Sequence, residues 1–303
     1  VTAVRFDATT VKSSMVRVAA ADDSYRSGKE LAESIPHENL VHVFVLSDGL
    51  NVNGSELVAG LTDNLPEHLT VTGGLSGDGD RFEQTVVLWD DAAHSNAVVL
   101  VGLYGDSLRI GYGSLGGWDP FGPERLVTRS DGNVLYELDG HSALGLYKQY
   151  LGDHADELPG SGLLFPLSLR SEDKDRGVVR TILAVDEDEN SMNFAGDVPE
   201  GWYAHLMKAN FNRLIDGASD AAKTSYQAIG STAPEFSILI SCVGRKMVLK
   251  QRVEEEVESV RDILGENTAL TGFYSYGEIS PFTPGASCEL HNQTMTITTF
   301  SEK

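Results

Sequence analysis

Two similar segments lie in opposite halves of the chain: Val71-Thr72-Gly73-Gly74-Leu75-Ser76-Gly77-Asp78 and Leu270-Thr271-Gly272-Phe273-Tyr274-Ser275-Tyr276-Gly277-Glu278. Each follows a short apolar run and a stretch with apolar residues at helical spacing. Each is followed by a Gln-Thr pair that opens another apolar run. This ordered recurrence predicts an internal duplication, in which Val41–Trp89 and Phe236–Phe300 superpose as one repeated unit with their helices on equivalent sheet faces.

The duplicated units also predict the fold class. Each unit reads as strand, helix and strand followed by further strands, which gives an α/β (or α+β) protein of two related halves with a mixed sheet. The helix of the second unit is predicted to bury four apolar residues and to carry its glutamates on the other face: Val253, Val257, Val260 and Leu264. Further helices are predicted at Gly140–Leu151 and Gly201–Ala222, and a strand at Val178–Val185.

Composition narrows the function classes. The 303 residues are enough for two domains, and the boundary is predicted near Gly140. The formal charge of −22 is spread along the chain and would repel phosphate backbones and anionic lipid, which argues against nucleic acid and membrane surfaces as partners. No apolar run approaches the ~20 residues of a membrane-spanning helix. Two cysteines suit a reducing compartment, so cytoplasmic location is the default expectation.

Two motifs resemble cofactor or metal sites without completing them. Residues 111–116 match G-x-G-x-x-G, but a dinucleotide site needs a helix to begin there, and the run Gly117–Pro123 contains two prolines. These glycines are therefore predicted to allow tight turns or close backbone packing. Cys288 and His291, even with Cys242, fall short of four zinc ligands in a recognisable spacing, so no metal site is predicted.

Seven residues with aromatic, polar or charged side chains gather near the predicted strand ends of the second half: Arg245, Tyr274, Ser275, Tyr276, Glu278, His291 and Asn292. Ligands of open α/β sheets bind outside the carboxyl ends of the strands. A guanidinium for a carboxylate and a glutamate for an ammonium would suit an amino acid. The alternative is an aromatic cluster with satisfied polar neighbours, and the residues alone leave both interpretations open.

Two other chemistries are open to these residues. Haem needs only one histidine ligand, and of the eight histidines we select His205, beside Tyr203 and Met207 on a predicted helix, and His291. Ser275, Ser241 and Cys242 are nucleophile candidates with His291 as base, which would make the chain a Ser/Cys hydrolase or an acyl-transfer enzyme. Because no Gly-x-Ser-x-Gly elbow surrounds them, we predict no catalytic residues and favour a binding protein over an enzyme.

Three segments of the second half resemble the FIST (F-box and intracellular signal transduction) domain family: Ser241–Arg245, Gly272–Glu278 and Leu290–Thr294. Supporting matches are Gly117–Gly122, Tyr136–Gly140 and Phe165–Leu167. The resemblance implies a FIST N-terminal domain over 1–140 and a FIST C-terminal domain over 141–303.

The resemblance also implies a function. FIST proteins are sensors proposed to bind amino acids or other small metabolites, so the expected partners are a small-molecule ligand and a separate output protein such as a kinase or cyclase. Some members are haemoproteins that report nitric oxide to a partner kinase, so a haem-binding nitric-oxide sensor is the alternative, with haem as its cofactor.

Overall fold

The computed structural model describes residues 2–173, 177–230, 232–282 and 285–303. Its strands are β1 Thr10–Arg17, β2 Leu40–Ser47, β3 Thr70–Ser76, β4 Val87–Trp89, β5 Ala92–His94, β6 Ala97–Tyr104, β7 Leu108–Leu115, β8 Asp119–Pro120, β9 Arg125–Asp131, β10 Val134–Leu138, β11 His141–Ser142, β12 Leu167–Arg170, β13 Val178–Arg180, β14 Ile182–Asp186, β15 Ser191–Phe194, β16 Tyr203–Lys208, β17 Phe236–Cys242, β18 Ala269–Pro281, β19 Cys288–His291 and β20 Met295–Glu302. Its helices are α1 Ser24–Ser34, α2 Gly54–Thr62, α3 Ala143–Leu151, α4 Phe211–Ala228, α5 Val243–Leu249 and α6 Val253–Leu264.

The main sheet has the strand order β1-β6-β2-β3-β18-β17-β20-β7, and β19 pairs with β18. The order of the strands in one half mirrors the order of the equivalent strands in the other. In the first half β2 is parallel to β3 and antiparallel to β6; in the second, β17 is parallel to β18 and antiparallel to β20. The two units meet where β3 and β18 run antiparallel. The α/β class and the two related halves are thus confirmed, with α2 and α6 as equivalent crossover helices.

Two pairs of helices, α1 with α2 and α4 with α6, lie on the outside of this sheet. Val43 on β2 packs into the same cluster as residues of α1 and α2, and Ile297 on β20 packs with α4 and α6. The sheet faces that carry no helices contact each other: Thr298 Oγ1 in the second half donates to Thr72 Oγ1 in the first at 2.9 Å. The sheet is therefore folded over into helix, sheet, sheet and helix layers. β18 runs from one sheet layer into the other, since its first part pairs with β17 and its later part pairs with β3 and β19.

The recurring Thr-Gly pair has a physical reason. A Cβ atom on Gly73 would lie 2.0 Å from the carbonyl oxygen of Val45, and one on Gly272 would lie 1.9 Å from that of Leu239. Val45 and Leu239 occupy the paired positions on the neighbouring parallel strands. Each half therefore requires glycine at the same place, as a shared origin would produce.

The glycines of the G-x-G-x-x-G match serve close packing, as predicted. Cβ atoms on Gly111 and Gly113 would lie 1.9 Å and 2.3 Å from the carbonyl oxygens of Ser225 and Ala221 on α4. Because Gly111 and Gly113 have no side chains, α4 can lie directly on β7.

A second sheet is inserted between β7 and α4, with the order β13-β12-β16-β9-β10-β15-β14 and with β8 and β11 attached. Its core includes Leu135, Leu144 of α3 and Leu169. The predicted helix at Gly201–Ala222 is wrong in its first part. Tyr203–Lys208 is a strand in which Ala204 and Leu206 are buried, and α4 begins at Phe211.

Both sheets take strands from either side of residue 140, and the predicted division there remains a prediction. Among the described residues, no helix has the length and apolar character needed to cross a membrane.

Candidate functional site

A cavity of about 850 Å³ opens at the end of the layered sheet, where β2 and β3 end beside β18. It is lined by residues 46–47, 74, 76–81, 86–88, 243, 246–247, 250 and 273–274. The first half supplies the ends of β2 and β3, the loop 77–81 and the hairpin of β4 and β5. The second half supplies α5 and β18. The cavity is thus built between the two repeated units, and Gly77 N–H donates across the junction to the Tyr274 carbonyl at 3.2 Å.

Asp78 fixes the loop of the first half against the second. Its carboxylate accepts hydrogen bonds from the Tyr276 hydroxyl and, at 3.0–3.1 Å, from the backbone N–H groups of Phe82, Glu83 and Gln84. Burial raises the pKa of Asp78, but the hydrogen bonds from Tyr276, Gln84 and Glu83 and the charge of Arg81 outweigh it and lower the pKa to about 2. The Phe82 ring stacks on Tyr276 with 4.7 Å between centroids.

Tyr274 is the predicted site residue that lines the cavity. The Nζ atom of Lys246, on α5, lies 4.7 Å from the centroid of the Tyr274 ring, a cation–π contact. Burial raises the pKa of Tyr274 to about 12, so its hydroxyl stays protonated at neutral pH.

Arg245 is fully buried and is held by protein groups. Its Nε and Nη2 atoms donate to Glu256 Oε1 at 2.7 and 2.6 Å. Nη1 donates to the carbonyl oxygens of Gly116 and Gln293, at 2.5 and 3.4 Å, and Nη2 also donates to that of Leu214 at 2.7 Å. A guanidinium has five N–H donors, and these acceptors occupy them all. In this structure the predicted carboxylate clamp is therefore an internal ion pair.

Glu278 and Ser275 are also fully buried, away from the cavity lining. Glu278 accepts hydrogen bonds from the hydroxyls of Ser275 and Thr294 and from the Thr294 backbone N–H, the two Thr294 contacts being 2.9 and 3.2 Å long. Burial raises the pKa of Glu278 to about 8, although these hydrogen bonds act in the opposite direction. A carboxyl group with this pKa is largely protonated at neutral pH.

His291 is the last residue of β19, and Asn292 lies in the buried turn that follows it. His291 Nε2 donates to the Ser280 carbonyl at 2.8 Å, and burial lowers the imidazole pKa to about 4. Asn292 Nδ2 donates to the Tyr276 carbonyl at 3.0 Å. Within the described part of the chain, four buried side-chain atoms at this turn lack hydrogen-bond partners: His291 Nδ1, Asn292 Oδ1, Gln293 Nε2 and Gln293 Oε1.

The two haem candidates lie in different sheets. His205 is on β16 in the second sheet, where its Nε2 contacts the Gly122 carbonyl at 2.8 Å, and His291 is on β19 of the main sheet. Neither side chain lines the cavity, so haem binding remains a prediction. Among the residues described, no group of three or more His, Cys, Asp or Glu side chains is arranged to hold a metal ion.

The charged residues that line the cavity are not among the predicted site residues: Asp78, Asp80, Arg81, Lys246 and Lys250. A signal was available, since Lys246 directly follows the motif that ends at Arg245 and both follow the end of β17. Tyr276 is among the predicted site residues because of its aromatic ring. Its hydroxyl contacts the loop 77–81 at the Asp78 carboxylate and the Gly79 carbonyl.

Family comparison agrees with the sequence motifs. The FIST N domain matches residues 1–141 and the FIST C domain matches residues 143–281. The chain therefore belongs to the FIST domain family, whose domains are associated with sensing in signal transduction. No curated protein is significantly similar to it in sequence.

Two solved structures illustrate how distant the structural likenesses are. One is a cyanuric acid hydrolase from A. caulinodans, 11% identical, with 97% of this chain and 99% of that chain covered and a TM-score of 0.21. A second cyanuric acid hydrolase is 11% identical, with 98% and 100% covered and a TM-score of 0.21. Scores this low carry no argument about the fold or function of this chain.

Proposed function

We propose that this chain is a sensory protein that binds a small molecule in the cavity between its two halves and passes the signal to a separate protein, such as a kinase or cyclase. The observation that carries the proposal is the shared construction of the cavity. The loop 77–81 comes from one repeat, and Lys246 and Tyr274 come from the other. Membership of a family associated with sensing supports it.

The cavity has the dimensions and composition of a ligand site. Pockets for small molecules measure about 300–1,000 Å³ and combine apolar walls with a few polar groups. Here the walls include Phe273, Tyr274 and Met247, and the polar groups include Lys246 and Asp80. A ligand that contacts both halves favours one arrangement of the two over others, and such differential binding is what shifts a conformational equilibrium.

We propose an amino acid or another small metabolite as the ligand. Since Arg245 is saturated by protein acceptors, Lys246 takes its place as the partner of a ligand carboxylate, and Asp80 is the acid that can face an ammonium. Titration calorimetry with an amino-acid panel tests this, comparing wild type with Tyr274→Ala and with Tyr226→Ala, an exposed tyrosine on α4, as the matched control. Failure of every amino acid to bind wild type excludes that ligand class.

Binding without turnover is the proposed mode of action. Burial raises the pKa of Cys242, so its thiol stays protonated at neutral pH and is a poor nucleophile. Ser275 Oγ is held by Glu278 and by the Ser241 carbonyl. The two free cysteines fit the proposed cytoplasmic location. Covalent labelling of serine or cysteine by an electrophilic ester, with burst kinetics, would instead establish the hydrolase alternative.

Haem is tested in a separate experiment. A visible spectrum after haem reconstitution, recorded for wild type, His205→Ala and His291→Ala, supports the nitric-oxide sensor if a Soret band appears and one substitution abolishes it. Absence of the band in wild type excludes haem.

A further inference from the structure

The charge of the cavity differs from that of the whole chain. The protein has 45 acidic residues against 23 lysines and arginines. The charged residues that line the cavity are nevertheless mostly cations: Arg81, Lys246 and Lys250 against Asp78 and Asp80. The lining therefore has a formal charge of +1 (three cations and two anions), whereas the whole chain has a formal charge of −22.

The protein itself neutralises part of this set. The Asp78 carboxylate is occupied by the Tyr276 hydroxyl and three backbone N–H groups, and Arg81 Nε lies 3.8 Å from it. Lys246 and Lys250 are exposed, and within the described residues neither ammonium makes an ion pair or hydrogen bond. The contact of Lys246 is with the Tyr274 ring. Lys246 lies on α5 and Lys250 is the residue directly after it, with a backbone φ of 51°, and both line the same cavity.

Apolar groups face the same space. Leu88 and Val86, on and beside β4, are 71% and 42% exposed although they line the cavity. Met247 and Phe273 form the facing wall. An apolar body placed between the hairpin and α5 would remove this surface from water, which favours binding.

We propose that the cavity binds an amphiphilic anion: a carboxylate or phosphate head group held by Lys246 and Lys250, with an apolar body between Tyr274 and Leu88. This inference rests on the proposed function, since it takes the cavity as the ligand site, and it adds the chemical class of the ligand.

Two fluorescent probes of nearly the same shape test the charge requirement. 1-Anilinonaphthalene-8-sulfonate carries an anionic group, and N-phenyl-1-naphthylamine lacks it. Replacing both lysines (Lys246→Gln with Lys250→Gln) is expected to weaken the anionic probe about ten- to hundredfold, because a hydrogen bond to a charged group contributes about 1.5–3 kcal/mol. The affinity of the neutral probe should not change.

Controls locate the probes and identify the head group. Lys12→Gln removes a lysine that lies over the Tyr104 ring outside the cavity and should leave both probes unaffected. Leu88→Gln should weaken both probes equally. Displacement of the anionic probe by phenylacetate or by phenyl phosphate, and not by phenethylamine, separates carboxylate from phosphate recognition.

The outcomes distinguish the two claims. Equal loss of both probes on replacing the lysines, or no loss of the anionic probe, overturns the anion inference and leaves ligand binding in the cavity standing. If neither probe binds wild type, the inference of an amphiphilic ligand is wrong, and the amino-acid calorimetry decides separately whether the cavity is a ligand site.

Discussion

The buried pair of Arg245 and Glu256 gives the sharpest test of the structure. Both side chains are 0% exposed, and Nη2 lies 2.6 Å from Oε1. Glu256→Gln keeps the shape but removes the negative charge, and it replaces with an amide nitrogen one of the two acceptor oxygens, Oε1 facing Arg245 or Oε2, which accepts from Ser241 Oγ at 3.0 Å. Breaking a buried pair by removing one partner costs about 3–5 kcal/mol, because the other charge is left buried without compensation. We expect a loss of this size in the free energy of unfolding.

Urea unfolding followed by circular dichroism measures that loss. The matched control is Glu255→Gln, which breaks the neighbouring exposed pair with Arg252, whose Nη2–Oε2 distance of 2.7 Å is nearly the same. Exposed pairs are screened by solvent, so the control should be close to neutral. If Glu256→Gln is as mild as Glu255→Gln, the Arg245 guanidinium is not buried against Glu256. It would then be free to bind a ligand carboxylate, and the reasoning above would fall.

Three further predictions concern charge and packing. The pKa of Glu278 is about 8 in the folded protein, against a usual 4.5, so its stabilising contribution is full below pH 4.5 and is lost as the pH rises to about 8. Between these pH values wild type should therefore lose stability relative to Glu278→Gln. Urea midpoints of the two proteins that change in parallel with pH would contradict this. Gly73→Ala and Gly272→Ala should each destabilise by about 1–3 kcal/mol or more, whereas Gly160→Ala, with open space around it, should be tolerated; unequal sensitivity of the pair would argue against equivalent sites. Raising sodium chloride from low to moderate concentration should raise the melting temperature, since screening weakens self-repulsion at a charge of −22, and a flat or falling curve would refute this.

The duplication was predictable because its signal is local. Thr-Gly recurs wherever a carbonyl of the neighbouring parallel strand leaves no room for a Cβ atom, and sequence preserves that requirement at Gly73 and Gly272. The α6 helix shows what local patterns miss. Its glutamates were predicted to face outward and Val257 inward, but Glu256 is fully buried and Val257 is 42% exposed. Glu256 can be buried because it pairs with the buried Arg245 of another helix. Hydrophobic periodicity carries no information about such a partner.

The candidate site was predicted only in part for a related reason. The sequence predicts the ligand site at the strand ends of the second half, whose turn has aromatic and polar residues where the turn of the first half has Gly and Asp. The structure shows that these differences are complementary. A Cβ atom on Gly49 would lie 2.9 Å from the Tyr276 ring, and one on Gly77 would lie 2.8 Å from Val243 Cγ2.

The first half has small residues where the second has large ones. The hydroxyl of Tyr276 reaches Asp78 and Gly79 across the junction. Two units that fill each other's space in this way build the cavity of the candidate site between them, while a smaller cavity of about 280 Å³ lies within the second half beside Ser241 and Tyr274. A ligand bound in the cavity of the candidate site contacts both units at once, so its binding energy depends on their relative position, which is the physical requirement for a sensor.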